Sequence, residues 1–273
     1  MLIVNFVKNL AKIIKIRTMT KKHDIIWLDT VDSTNNEAKR RLQDLDNLSV
    51  LSALEQTAGR GQRGNTWSAK PGENLTFSIV MKFGEDSFPE VRALDQFVIS
   101  EIAALSIVDT LAEYDIIAKI KWPNDIYVGD RKICGILIEN SLRDTALASS
   151  IVGIGLNANQ TVFDPSLPNP TSMSIVNPGC SFSLDRLLEN IMEVFGSYCT
   201  RYLNITGGYT RLRRLYLAQL WRMEEESPFI DTLTGCTFRG IIKGISEIGH
   251  LLVEDTEKGE LKEFAFKEIG YII

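Results

Sequence analysis

The stretch Gly59–Asn74, GRGQRGNTWSAKPGEN, has at Gly59, Gly61 and Gly64 the G-x-G-x-x-G spacing that opens many dinucleotide-binding folds. Such a fingerprint works because its third glycine leads straight into a helix, whose N-terminal amides receive a pyrophosphate. Here Pro71 and Gly72 follow Gly64 too closely for a helix, and the next element reads as a strand. That context excludes a Rossmann turn and with it an NAD-dependent oxidoreductase. What remains is a strand-to-strand loop with three glycines for close backbone approach and two arginines, Arg60 and Arg63, whose guanidinium forks match carboxylate or phosphate oxygens. By itself the stretch reads equally as a solvated hairpin loop.

Working outward, DIIWLDT (24–30) predicts a strand, and VDSTNNEAKRRLQDL a helix capped by Ser33 or Thr34 with Glu37 in capping-box position. LSVLSALEQT predicts a second strand. Leu75, Phe77, Ile79, Met81 and Phe83 alternate with polar or smaller residues, predicting a strand with one buried face. From Val91 to Glu113, Leu94, Phe97, Val98, Ile102, Leu105, Val108 and Leu111 recur at helical spacing. IAKIKW is a strand stopped by Pro123, DIYVGDRKICGILIE a hairpin turning at Gly129-Asp130, and SSIVGIGLN a buried strand. A polar loop from Gln160 to Cys180 precedes helices near Ser183 and across 209–222. Beyond Glu226 the texture changes to short strands with Gly turns: TFRGIIKGIS, GHLLVED, LKEFAF and EIGYII. The expected organisation is an N-terminal extension (1–22), a main domain (23–225) and a small β-barrel-like domain (226–273) that needs its neighbour for stability.

The chain has 273 residues, is 44% hydrophobic and carries a formal net charge of −5. This is a globular composition, and the acidic balance argues against gripping a nucleic-acid backbone. Four scattered cysteines and two distant histidines, His23 and His250, make neither a zinc motif nor a disulfide framework. Residues 1–18 resemble a targeting segment, but Lys8, Lys12 and Lys15 interrupt the apolar run and no cleavage site follows. They are too short and charged to span a bilayer; they read either as a surface helix or as sequence upstream of a start at Met19.

The glycine loop does not stand alone. DSTN places hydroxyls and an amide at the predicted helix start; KWPND puts Lys121 at a strand end beside Trp122; GIGLNAN places Gly153 and Gly155 inside a strand, where glycine costs stability unless something approaches the backbone. Singly, these are an ordinary cap, a solvated charge and a bulge.

Together, Ser33-Thr34-Asn35, Gln56, the loop from Gly59 to Gly64, Trp67, Lys121-Trp122-Pro123-Asn124-Asp125, Gly135-Ile136-Leu137-x-Glu139 and Gly153-Ile154-Gly155-Leu156-Asn157 resemble the biotin protein ligases from about Ile25 to the C-terminus. The closing GISEIGHLLVED and FKEIGYII are similar to that family's small C-terminal barrel. The resemblance implies an α+β fold: a mixed or antiparallel catalytic sheet of the biotin/lipoate ligase, class II synthetase-like type, with an SH3-like β-barrel after it. It implies a cytoplasmic enzyme that joins biotin to ATP, with Mg²⁺, as biotinyl-5′-AMP and passes biotin to one lysine of a biotin carboxyl carrier domain of acetyl-CoA carboxylase or a related carboxylase. It implies no nucleic-acid or membrane partner and leaves a homodimer open.

Carried over by residue, Lys121 and Arg60 are the expected catalytic cations. Ser33, Thr34, Asn35, Gln56, Gly59, Arg60, Gly61, Gln62, Lys121, Gly135, Gly153 and Gly155 are expected around biotin, the two strand glycines leaving room for its apolar body. Arg63, Trp67, Asn124, Lys132 and Asn157 are expected on the ATP side, and no metal ligand from His or Cys. Cations are needed because a carboxylate and a phosphate about 4 Å apart repel by roughly 4 kcal/mol at an effective dielectric near 20. The sequence departs from the family pattern at Gln62, where arginine is commoner, implying looser adenylate retention unless Arg63 compensates. Only 32 residues precede Ser33, an expectation against an N-terminal winged helix. The competing readings are a lipoate or octanoate transferase, against which the loop, KWPND and the barrel argue, and a non-catalytic biotin or nucleotide sensor.

Overall fold

The computed structural model of the chain describes residues 24–84 and 87–273; the expected extension 1–22 lies outside the described residues. In chain order the first part contains β1 (Ile25–Val31), α1 (Thr34–Arg40), β2 (Val50–Gln56), β3 (Leu75–Lys82), α2 (Phe97–Ala112), β4 (Lys119–Lys121), β5 (Asp125–Val128), β6 (Arg131–Arg143) and β7 (Ala146–Leu156). Then come α3 (Met173–Val176), α4 (Leu184–Tyr202), α5 (Gly208–Ala218) and strands β8 (Glu226–Asp231), β9 (Thr237–Ile245), β10 (Leu251–Asp255), β11 (Glu260–Phe264) and β12 (Ile269–Tyr271).

The first seven strands form one sheet in the order β1-β2-β3-β7-β6-β5-β4, parallel only between β1 and β2. The last five form a second, antiparallel sheet in the order β11-β10-β9-β8-β12. This is the α+β architecture expected. β8 escapes a reading by pattern because Pro228, which lacks a ladder N–H, sits inside it.

β3 differs from expectation, being buried on both faces. Phe77, Ile79 and Met81 belong to the large core with α2 and α4, while Val80 joins Leu51 and Ile151 beneath Ala38 and Leu45 on the α1 side. The helix predicted from Val91 begins only at Phe97, after a 3₁₀ turn at Ala93–Asp95 that leaves Leu94 exposed. α1 is a helix of 7 residues, and the expected capping box is absent. Ser33 contributes its carbonyl to the Glu37 amide at 2.9 Å, while the Glu37 carboxylate turns to Arg40 at 2.7 Å. Ser183 does cap α4, accepting from the Arg186 amide at 3.5 Å.

Candidate active site

The sheet centre becomes a cavity because β3, β7 and β6 carry small or polar residues there in register: Ser78 opposite Gly153, and Gly135 opposite Gly155. The cavity is lined by Ser33, Thr34, Asn35, Gln56, Arg60, Gly61, Gln62, Trp67, Asn124, Lys132, Gly135 and Gly153 to Gly155 in part, with Ile136 and Leu137 as its apolar floor. Most of the expected site residues therefore converge.

Its polar end is a closed hydrogen-bond network. The Thr34 amide and hydroxyl donate to Gln56 Oε1 at 2.8 and 3.3 Å. Ser78 Oγ donates to Asn35 Oδ1 at 2.6 Å, with Thr34 Oγ1 at 2.7 Å as the alternative acceptor. Asn35 Nδ2 donates to the Leu137 carbonyl at 3.2 Å and to Glu139 at 2.9 Å. Such a set fixes amide and hydroxyl orientations before a polar ligand arrives. The sequence reading gave Ser78 and Glu139 no role. Ser78 had a signal, as a hydroxyl at a sheet position flanked by apolar residues.

Arg60 lines the cavity, but its fork is engaged: it donates to Glu139 at 2.9 and 3.2 Å and to Asn36 Oδ1 at 2.7 Å. Asn36 in turn donates to Asp32 at 2.8 Å, and the Arg40 guanidinium beside Asp32 holds that carboxyl well below the usual range. The loop is thus fastened across the cavity to β6 and to α1 rather than left open over an anion.

The room expected above the strand glycines is taken by the protein itself. A Cβ at Gly153 would stand 2.3 Å from the Asn35 amide oxygen, and one at Gly155 would stand 2.2 Å from the Trp67 indole. These glycines admit Asn35 and Trp67 to the backbone of β7. The free cavity is only about 50 Å³, far below the several hundred Å³ of a small-molecule site. Trp67 Nε1 is buried with no partner among the described residues, an unusual state for an indole N–H. We expect Trp67 to move when the site fills, so adding biotin and ATP should change tryptophan fluorescence, and Trp67→Phe should remove that change. An unaltered response in the variant would place the movement elsewhere. A second cavity of about 540 Å³ shares Gln62, Asn124 and Ile136 with the first and runs along α2 to Ile248, His250 and Phe266.

The two lysines are placed differently from expectation. Lys132 Nζ lies 5.7 Å from the Trp67 ring centroid and beside Gly135, facing the cavity. Lys121 is not among the lining residues. It faces Asp125 across the β4–β5 hairpin, with its Nζ 5.2 and 4.6 Å from the Tyr127 and Tyr271 ring centroids. Asn157 is also absent from the lining; its amide donates to the Thr171 carbonyl at 2.9 Å and ties down the loop after β7. Gly59 stands back from the cavity in the loop, its carbonyl accepting from the Trp67 amide at 2.9 Å, and the Arg63 side chain lies outside what the structure describes. Asn124 lines the cavity while donating to the Ile136 carbonyl at 2.7 Å. No group of three or more His, Cys, Asp or Glu side chains stands together as a metal cage among the described residues. No helix among them is long and apolar enough to cross a membrane.

Residues 27–157 match the model of the Biotin/lipoate A/B protein ligase family. The chain is 30% identical over 233 residues to the biotin–[acetyl-CoA-carboxylase] ligase of Paracoccus denitrificans, covering 83% of this chain and 92% of that one. It is 29% identical to the bifunctional ligase/repressor BirA of Escherichia coli, covering 89% of this chain and 72% of that one. Among solved structures, the biotin protein ligase of Aquifex aeolicus in complex with biotin and ATP superposes with a TM-score of 0.72 at 25% identity, covering 90% of this chain and 97% of that one. At 30% identity over nine-tenths of a biotin–[acetyl-CoA-carboxylase] ligase, the chain belongs to the biotin/lipoate A/B protein ligase family, among its biotin protein ligases.

Proposed function

We propose that the chain catalyses ATP-dependent biotinylation of a carrier lysine, with Ser33, Thr34, Asn35 and Gln56 orienting the polar ring of biotin and Lys132 facing its carboxylate. The single observation that carries this reading is the convergence on one cavity of a pre-oriented polar end and a lysine ammonium, about the two ends an amphipathic carboxylic acid presents. In the first step a biotin carboxylate oxygen bonds to the α-phosphorus of ATP and pyrophosphate leaves. In the second, the amine of the acceptor lysine attacks the acyl carbon, AMP leaves with the bridging oxygen, and the amine proton passes to solvent. The protein's part in the first step is positioning and charge: two anions must meet, and Lys132, with Arg60 once it leaves Glu139, supplies fixed positive charge where negative charge accumulates.

Mg²⁺ bound with ATP would need only one or two protein carboxylates, and it would supply positive charge against the phosphates as pyrophosphate leaves.

Incubation with biotin, MgATP and the biotin carboxyl carrier domain of an acetyl-CoA carboxylase should add one biotinyl group to the carrier, read by mass spectrometry. Lipoyl or octanoyl transfer under matched conditions, without biotinyl transfer, would move the chain to the lipoate branch. Biotin binding with neither transfer nor pyrophosphate exchange would make it a sensor.

A further inference from the structure

β6 loses its neighbour β7 just short of Lys132. The two strands pair from Arg143 down to Cys134, β7 ends at Leu156, and the Asn157 amide makes one last contact, donating to the Ile133 carbonyl at 2.9 Å. The chain then leaves the sheet and returns at Asn169-Pro170-Thr171, which takes the side that β7 has left, in a short parallel bridge between Pro170 and Lys132. The Lys132 amide donates to the Asn169 carbonyl and the Thr171 amide donates to the Lys132 carbonyl, both at 2.8 Å. A parallel bridge of this kind engages the carbonyl before the bridging residue and the amide after it, so Pro170 sits there without losing a ladder donor. Its own carbonyl accepts from the Arg131 guanidinium at 2.7 and 3.1 Å, and Asn169 Nδ2 donates to the Asp130 carbonyl at 2.6 Å. From the other side, Asn157 holds the segment through the Thr171 carbonyl.

We infer that Asn169 and Arg131 are positioning residues for Lys132: they fasten the segment 169–171 beside β6 as a substitute strand, and that strand fixes the backbone from which the Lys132 ammonium reaches the cavity. Gly129, Asp130 and Arg131, which lead into Lys132, are exposed, and a hairpin end paired on one side only frays. Paired on both sides, Lys132 has a fixed root. Its head is fixed as well, with Nζ 2.6 Å from Asp125 Oδ1, so the ammonium is held to one region of the cavity it lines. Asn169, Pro170 and Thr171 do not line that cavity themselves, so the loop after β7 sets the aim of a cation without touching what the cation meets. Aim matters here because a misplacement of about 1 Å between reacting groups can cost a hundredfold in rate. Lys132 has this weight only on the reading given under Proposed function, on which the inference rests.

The test compares two backgrounds. Asn169→Ala and Arg131→Met should each lower biotin-dependent pyrophosphate exchange about tenfold, in kcat, with the KM for biotin within about twofold of the parent. Arg131→Lys, which keeps a donor for the Pro170 carbonyl, should retain most of the rate. In the Lys132→Ala background there is no ammonium to aim, so adding Asn169→Ala or Arg131→Met should change the residual exchange by less than about twofold. A merely structural role lowers exchange by the same factor whether or not Lys132 is present. Calorimetric affinity for inorganic pyrophosphate should show the same pattern: about fivefold weaker in each single variant, with no further loss once Lys132 is replaced. Arg131 is exposed, so Arg131→Met carries the whole comparison if Asn169→Ala does not fold. Equal losses in the two backgrounds, or exchange in a folded single variant within about twofold of the parent, overturn the inference. If the parent shows no exchange, the proposed function fails, and the pyrophosphate affinities decide the inference: a loss seen with Lys132 and absent without it upholds it, and equal losses or none overturn it.

Discussion

Lys132→Ala should lower biotin-dependent pyrophosphate exchange by about a thousandfold, while the melting temperature stays close to that of the parent. One fixed donor aimed at developing charge is worth about 3 to 4 kcal/mol of transition-state stabilisation in a site shielded from water, which is two to three powers of ten in rate. Lys132 lines the cavity and lies against Gly135 and the Trp67 ring, and the proposed function sets it facing the biotin carboxylate. Its removal should be cheap for the fold. Asp125 keeps Lys121 as a counter-charge, and partly exposed ion pairs contribute at most about 1 kcal/mol. The expected split is therefore a collapse of kcat with a biotin KM changed much less, since the proposed function gives the polar ring of biotin to Ser33, Thr34, Asn35 and Gln56 instead. Exchange within about threefold of the parent would remove Lys132 from this role.

Which of the two lysines lines the cavity was beyond the reach of the sequence, for a reason visible in the strand register. KWPND offers Lys121 at a strand end, a conspicuous position, and RK offers Lys132 two residues into the next strand. Which of them faces the cavity depends on the irregularity in the β5–β6 ladder between Ile126 and Tyr127. A bulge of that kind re-aims every side chain beyond it, and nothing in the composition of the hairpin announces it. The polar end, by contrast, was legible, because Ser33, Thr34, Asn35 and Gln56 come from two neighbouring elements whose placement follows from β1–β2 pairing. The glycine pair Gly153 and Gly155 was legible as a close approach, but its occupants were not. They are Asn35 and Trp67, residues more than 80 positions away in the chain. The two-sided burial of β3 was hidden in the same way, since a period-2 pattern reports one face and the small cluster under α1 involves only a few residues of each strand.

Arg213→Met is the substitution expected to cost the fold most among the charged residues, about 3 to 5 kcal/mol at pH 8, with the cost shrinking as the pH is lowered to 5. Arg213 on α5 pairs through Nε with Glu101 on α2, a side chain with no exposure, and donates from Nη1 to the Ser246 carbonyl at 2.7 Å. The turn that follows β9 is also held by Trp122, whose indole donates to the Gly249 carbonyl at 2.9 Å. Arg213 therefore joins the core helix α2 to the turn after β9 of the second sheet. Burial pushes the Glu101 carboxyl up to about 7, and Arg213 opposes that rise through its charge and hydrogen bond. A folded-state value above the unfolded one means that Glu101 favours the folded state fully only below its unfolded pKa, and that this contribution is lost as pH rises through about 7. Removing Arg213 takes away the opposing influence, so the folded value climbs further and the loss extends to higher pH. At pH 5 both proteins carry a neutral Glu101 and differ mainly by a hydrogen bond and packing; at pH 8 the variant must bury an unpaired carboxylate or take up a proton. Denaturant unfolding of parent and variant at the two pH values measures the difference directly, and a penalty independent of pH would show that Glu101 is not ionised opposite Arg213 in the parent.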